Sequence, residues 1–366
     1  MGQTVIPWGD PKAQKKWSAS LIVESQKKSY WDRFEGSDEN SVIQVKNDLA
    51  SDAGDRISFD LSVQLRGGVT RGDDRLKGKE EALKFYTDEV IIDQMRKAVS
   101  AGGRMSRKRV AHDMRKVARN RLSDYWSQYI DEMKFIYLSG ARGVNEDFLE
   151  GVDYVGHAGN ALRAPDGQHI LFGGAAKSKA TLTADDKMSR ELIERAANKA
   201  RMMRARDPKT ANLLPISING EKHYVMLMSP DQEYDLRTEQ GASGWLEIQK
   251  AAAAAEGKNN PIFKGGLGMI NNIVLHSHES VIRFNDYGAG QNVHAARALF
   301  LGRQAAVVAY GQAGGLRFTW KEEVDDYDNE PVVAAGTIMG ISKTRFNNRD
   351  FGVVAIDTAA TDPNAV

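Results

Sequence analysis

The chain is predicted to be an α+β protein, and three observations predict it. Residues 57–65 alternate between apolar and polar. A long stretch before Gly140 carries apolar groups at helical spacing with no proline. Residues 316–358 return to short apolar runs separated by turn signals. The first pattern has period two, that of a half-buried strand, and the second has the period of one helix face.

The strand comes first in the argument. Ile57, Phe59, Leu61, Val63 and Leu65 alternate with Ser58, Asp60, Ser62 and Gln64. A second extended run follows at 83–93, LKFYTDEVIID. Between them lies 66–81, RGGVTRGDDRLKGKEE, far longer than the usual hairpin connection of about two to five residues. A lone two-stranded ribbon is marginal in water, so this hairpin needs a surface to rest on, and a second copy of the chain would provide one.

The helix comes next. Ser106 is expected to cap it after Gly102-Gly103, and Gly140 to close it. Val110, Met114, Val117, Leu122, Tyr125, Tyr129, Met133 and Ile136 supply the apolar stripe. About 35 residues at 1.5 Å each give a rod of roughly 50 Å, long enough to cross a domain.

Ahead of the hairpin, residues 1–55 read as an arm. Trp8, Trp17, Leu21, Tyr30, Trp31 and Phe34 fall on a segment broken by Gly9, Pro11 and Gly36. Aromatic groups at this density need burial, either on the chain's own core or on a neighbour. After the long helix, 146–180 is loop-rich. A helix is expected over 186–206, capped by Thr183 or Asp185, and His223–Met228 reads as a buried strand. A helical turn begins at Asp231–Leu236, and Trp245–Glu256 is an alanine-rich helix. Strands are expected at Ile270–Leu275 and Ser280–Phe284, and a helix or buried element at Ala295–Tyr310. LRFTW, VVAAGTIMGIS and FGVVAID form the terminal strands, the last of them after the turn signal Asn347-Asn348.

Composition excludes several function classes. The 366 residues are 41% hydrophobic and 27% charged, ordinary for a soluble globular chain. Fifty basic against 49 acidic residues give a net charge of +1, which argues against a dedicated basic nucleic-acid binder. No cysteine is present, so there is no disulfide framework and no thiolate zinc site, which fits synthesis in a reducing cytoplasm. The amino-terminal residues lack the apolar core of a signal peptide, and no window approaches a membrane span.

Motifs for catalysis are missing. His276 and His278 share one strand face and could ligate a metal, with His294 further on, but Glu279 points to the opposite face and no HExxH accompanies them. A surface or interface strand end is the plainer reading. The Gly-rich runs near Gly265 and Gly311 lack the strand, helix and Gly-Lys-Ser/Thr of a phosphate loop. No Gly-x-Ser-x-Gly elbow occurs. The chain is therefore expected to be no enzyme and to carry no cofactor.

Two charged features remain. The cluster Arg104, Arg107, Lys108, Arg109, Arg115, Lys116, Arg119 and Arg121 places cations at helical spacing, opposed only by Asp113. It reads as a solvated face, a source of salt bridges to a neighbour, or a track for phosphates. The hairpin loop sets Arg66, Arg71, Arg75, Lys77 and Lys79 among glycines. Glu322, Glu323, Asp325, Asp326, Asp328 and Glu330 crowd a later link and are its natural receiver.

A basic-tipped extended hairpin followed by RMSRKRVAHDMRKVARNRLSDYWSQYIDEMKFIYLSGARG resembles the major capsid proteins of tailed bacteriophages, in particular the podovirus type of coliphage N-four. ELIERAANKARMMRA, HYVMLMSPDQEYDLRTEQG, NPIFKGGLGMINNIVLHSH, ALFLGRQAAVVAYG and GISKTRFNNRDFGVVAIDT continue the resemblance in order. It implies the Hong Kong 97-type fold, divided as an N-terminal arm over 1–55, an E-loop hairpin over 56–98, a P-domain spine helix over 99–145, an A-domain over 146–314 that includes the adjoining helix 186–206, and P-domain terminal strands and tail over 315–366.

The function implied is a structural subunit that self-assembles, as hexamers and pentamers, into an icosahedral shell around packaged double-stranded DNA. The implied partners are itself, a portal, scaffolding and decoration proteins, and DNA contacted without sequence preference by Arg107, Lys108, Arg115 and Arg119; no membrane is involved. The implied location is the virion, assembled in the bacterial cytoplasm. Arg66, Arg71, Arg75, Lys77 and Lys79 are expected to meet Glu322, Glu323, Asp325 and Asp326 between subunits. Two alternatives stand beside this reading: an encapsulin-like nanocompartment shell, and a DNA-binding module built on helix 104–121. Some shells of this fold join a hairpin lysine to an asparagine near the terminal strands. Lys77, Lys79, Asn347 and Asn348 match in type and rough place, but no carboxylate is marked out to take the amine proton, and no cross-link is expected.

Overall fold

The computed structural model describes residues 29–50, 54–62, 65, 67–83, 85–109, 113–207, 210–218, 220–239, 262, 266–312 and 317–363. A short 3-10 turn, Trp31–Phe34, opens them. Trp31 and Phe34 are buried, and the Trp31 ring lies 4.8 Å from that of Phe135. These aromatic groups thus pack on the chain's own core, as does strand β1 (Ile43–Lys46) behind them. Trp8, Trp17 and Leu21 lie outside the described residues.

Strands β2 (Arg56–Ser62) and β3 (Phe85–Ile91) form the expected antiparallel ribbon, in register from Arg56↔Ile91 to Ser62↔Phe85. After Ile92 comes β4 (Asp93–Ser100), which sequence reasoning missed. Most of its side chains face solvent, and only Met95 and Val99 reach the core, so it shows no apolar alternation.

The single long helix is corrected to two. Helix α1 covers Arg104–Arg109 and α2 covers Met114–Ser139. Ser106, expected as the cap, lies inside α1. The cap of α2 is Asp113, whose carboxylate accepts from the N–H groups of Arg115 and Lys116. An aspartate here satisfies two end donors and offsets the cations of the first turns. The 26 residues of α2 make a rod of about 39 Å, shorter than expected. Gly140 closes it as expected, with φ 69° and its N–H on Ile136 O at 2.9 Å. A Cβ there would sit 2.0 Å from Arg163 O, so the close approach also requires glycine. Leu122, Met133 and Ile136 are buried as the stripe predicts, whereas Val117 is exposed and Val110 lies outside the described residues. From Ile130 to Gly140 every residue is buried, so the second half of the helix is enclosed on all sides.

The middle of the chain runs β5 (Ile170–Phe172), α3 (Arg190–Arg206), β6 (Ile216–Ile218), β7 (Glu221–Met228), α4 (Pro230–Thr238), β8 (Gly268–Ile270), β9 (Ile273–Ser277), β10 (Arg283–Tyr287) and β11 (Val293–Leu301). Helix α3 starts later than expected, at the N-cap Ser189, because the Asp186 carboxylate instead accepts from the N–H and hydroxyl of Thr183. Residues 295–310, expected as a helix or buried element, are two strands, β11 and β12 (Ala306–Tyr310), joined by a turn in which Gln304 has φ 53°. Both are almost wholly buried, and a continuous apolar run does not by periodicity distinguish a central strand from a helix. The helix expected at 245–256 lies outside the described residues. Strands β13 (Thr319–Asp325), β14 (Glu330–Lys343) and β15 (Val353–Ala359) complete the chain.

Two sheets organise these elements. In one, Glu35–Gly36, β1, β12, β14 and β13 follow in order, and β4 also pairs with β14. In the other, the order is β8-β9-β7-β11-β15-β5, with β10 on β11 and β6 on β7. Helix α2 lies against β14 and β4 and reaches β11 of the second sheet. Helix α3 covers the second sheet through Leu192, Ile193, Ala196, Ala200 and Met203.

Candidate assembly interface

The β2–β3 hairpin is anchored at its base and bare at its tip. At the base, Ile57, Val90 and Ile92 pack with Val307 and Ala309. Asn160 grips the end of β3 with its amide: Oδ1 accepts from Ile91 N at 2.9 Å and Nδ2 donates to Ile91 O at 2.7 Å. Gly340 lets the strand approach, since a Cβ there would meet Ile91 O at 2.0 Å. The Asp88 carboxylate accepts from Arg163 Nη1 at 2.8 Å and from Arg345 N at 2.9 Å. Beyond this base none of the described loop residues is buried. Arg71, Arg75, Lys77 and Lys79 are exposed, with Lys79 3.2 Å from Asp74. Leu65 is 55% exposed, Val69 79% and Leu76 64%, three apolar groups that gain burial only on another surface. Arg66 lies outside the described residues.

The basic helices and the acidic link meet within one chain. The guanidinium of Arg115 binds Glu322, with Nε on Oε1 at 2.7 Å. Arg107 donates to Asn329 O at 3.0 Å, and Arg119 lies over the Trp320 ring. Lys108 is exposed. Glu322 therefore already has a cation, and the outward carboxylates of the hairpin are Glu323, beside Lys321, together with Asp325, Asp326 and Asp328. At the tip Asp326, Tyr327 and Asp328 all take positive φ, and Tyr327 is fully exposed.

The histidine pair serves packing. His276 is buried, with its Nε2 on Ile262 O at 2.9 Å and its ring edge-on to Phe34. His278 stacks on Phe135 at 4.9 Å and lies 4.3 Å from Tyr30. Burial pushes both imidazoles down to about 4, so both are neutral. His294 and Glu279 are exposed.

Sequence reasoning missed three buried charge clusters that tie the parts together. Lys134, in α2, pairs with Glu35, which also takes Arg317 at 3.2 Å. Burial opposes charge on Glu35, but the two cations outweigh it and hold its carboxyl below the usual range. Arg297 makes a two-pronged bond to Asp357 at 2.7 and 2.8 Å and donates to Ser139 O at 2.9 Å, joining the second sheet to the end of α2. The Tyr287 hydroxyl completes that cluster at 2.6 Å from Asp357. Lys343 lies 2.8 Å from Asp350, which also takes Arg345, and burial pushes the Lys343 amine down to about 8. A signal was present for two of the three: Lys134, Arg297 and Asp357 each interrupt an apolar run, whereas Lys343 sits between Ser342 and Thr344.

Two sheets bridged by one long, deeply buried helix, with a hairpin anchored only at its base, define a mixed α+β subunit with a strand arm on its surface. The fold is that of the Hong Kong 97-type phage capsids. A family model described as phage capsid protein matches residues 5–362. The chain belongs to this phage capsid protein family. It is 26% identical over 379 residues to the major capsid protein of Pseudomonas phage KPP25, with 94% of each chain covered. The solved capsid of Ralstonia phage GP4 is 65% identical, covers both chains fully and superposes with a TM-score of 0.88. The cyanophage Pam1 capsid asymmetric unit shares the fold at 20% identity, a TM-score of 0.72, and coverage of 98% of this chain and 99% of that one. The function is that of a phage major capsid protein, a non-enzymatic subunit that self-associates into the shell of a virion. The nanocompartment and DNA-module alternatives are not favoured.

Proposed function

We propose that the β2–β3 hairpin is the arm by which each subunit holds its neighbour in a shell of hexamers and pentamers around double-stranded DNA. Exposed Leu65, Val69 and Leu76 beside Arg71, Arg75, Lys77 and Lys79, on a ribbon fixed at its base, carry this reading. The apolar groups gain burial only on another surface, and the cations complement outward carboxylates such as Asp325 and Asp326. Many modest contacts multiplied by symmetry allow errors to reverse during growth yet hold the closed shell. Assembly occurs in the host cytoplasm, with a portal at one vertex and with scaffolding or decoration proteins as further partners. The podovirus type of coliphage N-four is the architectural parallel we propose for it. Under this reading 1–55 acts as an arm whose later part is docked on its own subunit, 56–98 as the E-loop, 99–145 as the spine, 146–314 as the A-domain and 315–366 as the P-domain strands.

Replacing residues 66–81 by an Asn-Gly turn tests the proposal. The variant should stay folded and monomeric while losing particle formation in electron micrographs. Normal particles from it would remove the hairpin from the mechanism. Reversing Arg71, Arg75 and Lys77 to Glu should impair assembly most at low salt, where screening is weakest.

A further inference from the structure

Helix α3 carries six basic and two acidic residues in a chain whose net charge is +1. Its charge is unevenly matched. Arg190 faces Glu194 at 3.3 Å, and both acidic residues lie in the first half of the helix. Arg195, Lys199 and Arg206 follow at intervals of four and seven, which places them within about 40° of one another around the axis. They form one stripe about 16 Å long. This stripe lines a groove of ≈ 350 Å³ between α3 and the edge strand β5, with Gln168, Leu171 and Asn198 completing the walls and no carboxylate among them.

Neutral acceptors hold the three cations. Arg195 Nη1 donates to Gly174 O at 2.9 Å, Lys199 Nζ to Ile170 O at 2.9 Å, and Arg206 Nη2 to Asn198 Oδ1 at 3.0 Å. Among the described residues none of the three is in an ion pair. Asp166 is within electrostatic reach of Lys199, but its carboxylate already takes His169 Nδ1 and the Asp350 N–H. Burial, joined by repulsion from Arg206 and Arg195, pushes the Lys199 amine below its usual range. By contrast Arg107, Arg115 and Arg119 of the basic helices contact the acidic hairpin of their own chain. A helix dipole favours cations in the last turn, which accounts for Arg206 but not for Arg195 near the start.

We infer that the α3–β5 groove is a seat for phosphates, with Arg195, Lys199 and Arg206 contacting successive phosphates of a nucleic-acid backbone. A stripe of separated cations suits a regular polyanion, and the two backbone carbonyls and one side-chain amide that hold these side chains each take one N–H, leaving others to donate. Nothing in the groove reads bases, so binding is independent of sequence. The inference rests on the shell reading for its natural source of phosphate, the packaged DNA.

The test uses the full chain, wild type and R195Q/K199Q/R206Q, with binding of a labelled duplex followed by anisotropy from low to high salt. Three phosphate contacts give the wild type a slope of log K against log salt steeper by about 2 to 3 than the variant's. Two duplexes of unrelated sequence should bind alike. The single variant R206Q, whose side chain is exposed, should lose about one unit of slope and serves if the triple variant misfolds. Equal slopes for wild type and R206Q would overturn the inference, as would displacement of the duplex by polyglutamate at equal charge as readily as by unlabelled duplex. Particle formation is scored separately. If the slopes differ as expected but wild-type chains form no particles, the shell reading fails and the groove stands. If particles form and the slopes agree, the groove fails and the shell stands.

Discussion

Asn160→Ala should loosen the hairpin without unfolding the subunit. The amide makes two bonds to Ile91, at 2.9 and 2.7 Å, and the residue is 8% exposed. Its own backbone carbonyl still accepts from Tyr137 Oη at 2.8 Å, so the turn that carries it should survive. Truncation leaves one N–H and one C=O of Ile91 without partners. Each orphan costs about 1–3 kcal/mol when dry. Ile91 is only half-buried, so water recovers part of this, and a net loss of about 2 kcal/mol is expected. That is about 30-fold in the opening equilibrium. The assay is amide hydrogen exchange on free subunits. Amides of 56–62 and 85–91 should exchange about 30-fold faster, while those of 133–139 in α2 should not change. Particle yield should fall, because an arm that is no longer aimed must be ordered during docking. Unchanged exchange in the hairpin would show that the apolar base of Ile57, Val90 and Ile92 positions it alone. Faster exchange throughout would show that Asn160 supports the whole fold.

Asp357→Ala should cost about 3–5 kcal/mol in chemical denaturation, because Arg297 is left buried and unpaired. The double variant Arg297→Met/Asp357→Leu should recover most of it; a double variant as unstable as the single one would refute that account. Acid should weaken the fold through His276. Its folded pKa, about 4, is below the unfolded 6.5, so its contribution is complete above pH 6.5 and is lost as the pH falls towards 4. The shift amounts to about 3 kcal/mol, and His276→Phe should flatten the stability profile in that window; an identical slope would exclude the imidazole as the cause. Boiled, denatured mature particles should run as single chains on a gel. A ladder of covalent oligomers would overturn the expectation.

The local patterns written in the chain were enough for its main parts. Period two gave β2, and Gly140 marked the end of α2 because its left-handed cap and its contact with Arg163 O admit no side chain. The buried strand at 223–228 and the last two terminal strands were equally plain, since turn residues bound their apolar runs; the first, expected at 316–320, is instead Thr319–Asp325, so Glu322, Glu323 and Asp325 of the expected acidic link lie in a strand. Tertiary contacts decided the rest. Strand β4 exists because β14 pairs with it from Asp93↔Met339 to Ser100↔Val332, and no pattern in its own exposed side chains announces that. Residues 295–310 became strands because both lie inside sheets that satisfy their backbone groups, although alanine and leucine suit a helix equally well. The break at Asp113 turned on whether that side chain would cap the helix or merely oppose its cations. The buried pairs at Lys134 and Arg297 appear in the sequence only as charges out of place, and Lys343, among Ser342, Thr344 and Arg345, does not stand out at all. Their partners, Glu35, Asp357 and Asp350, are 99, 60 and 7 residues away, and only the folded chain brings them within bonding distance, because burial makes an unpaired charge too costly to leave alone.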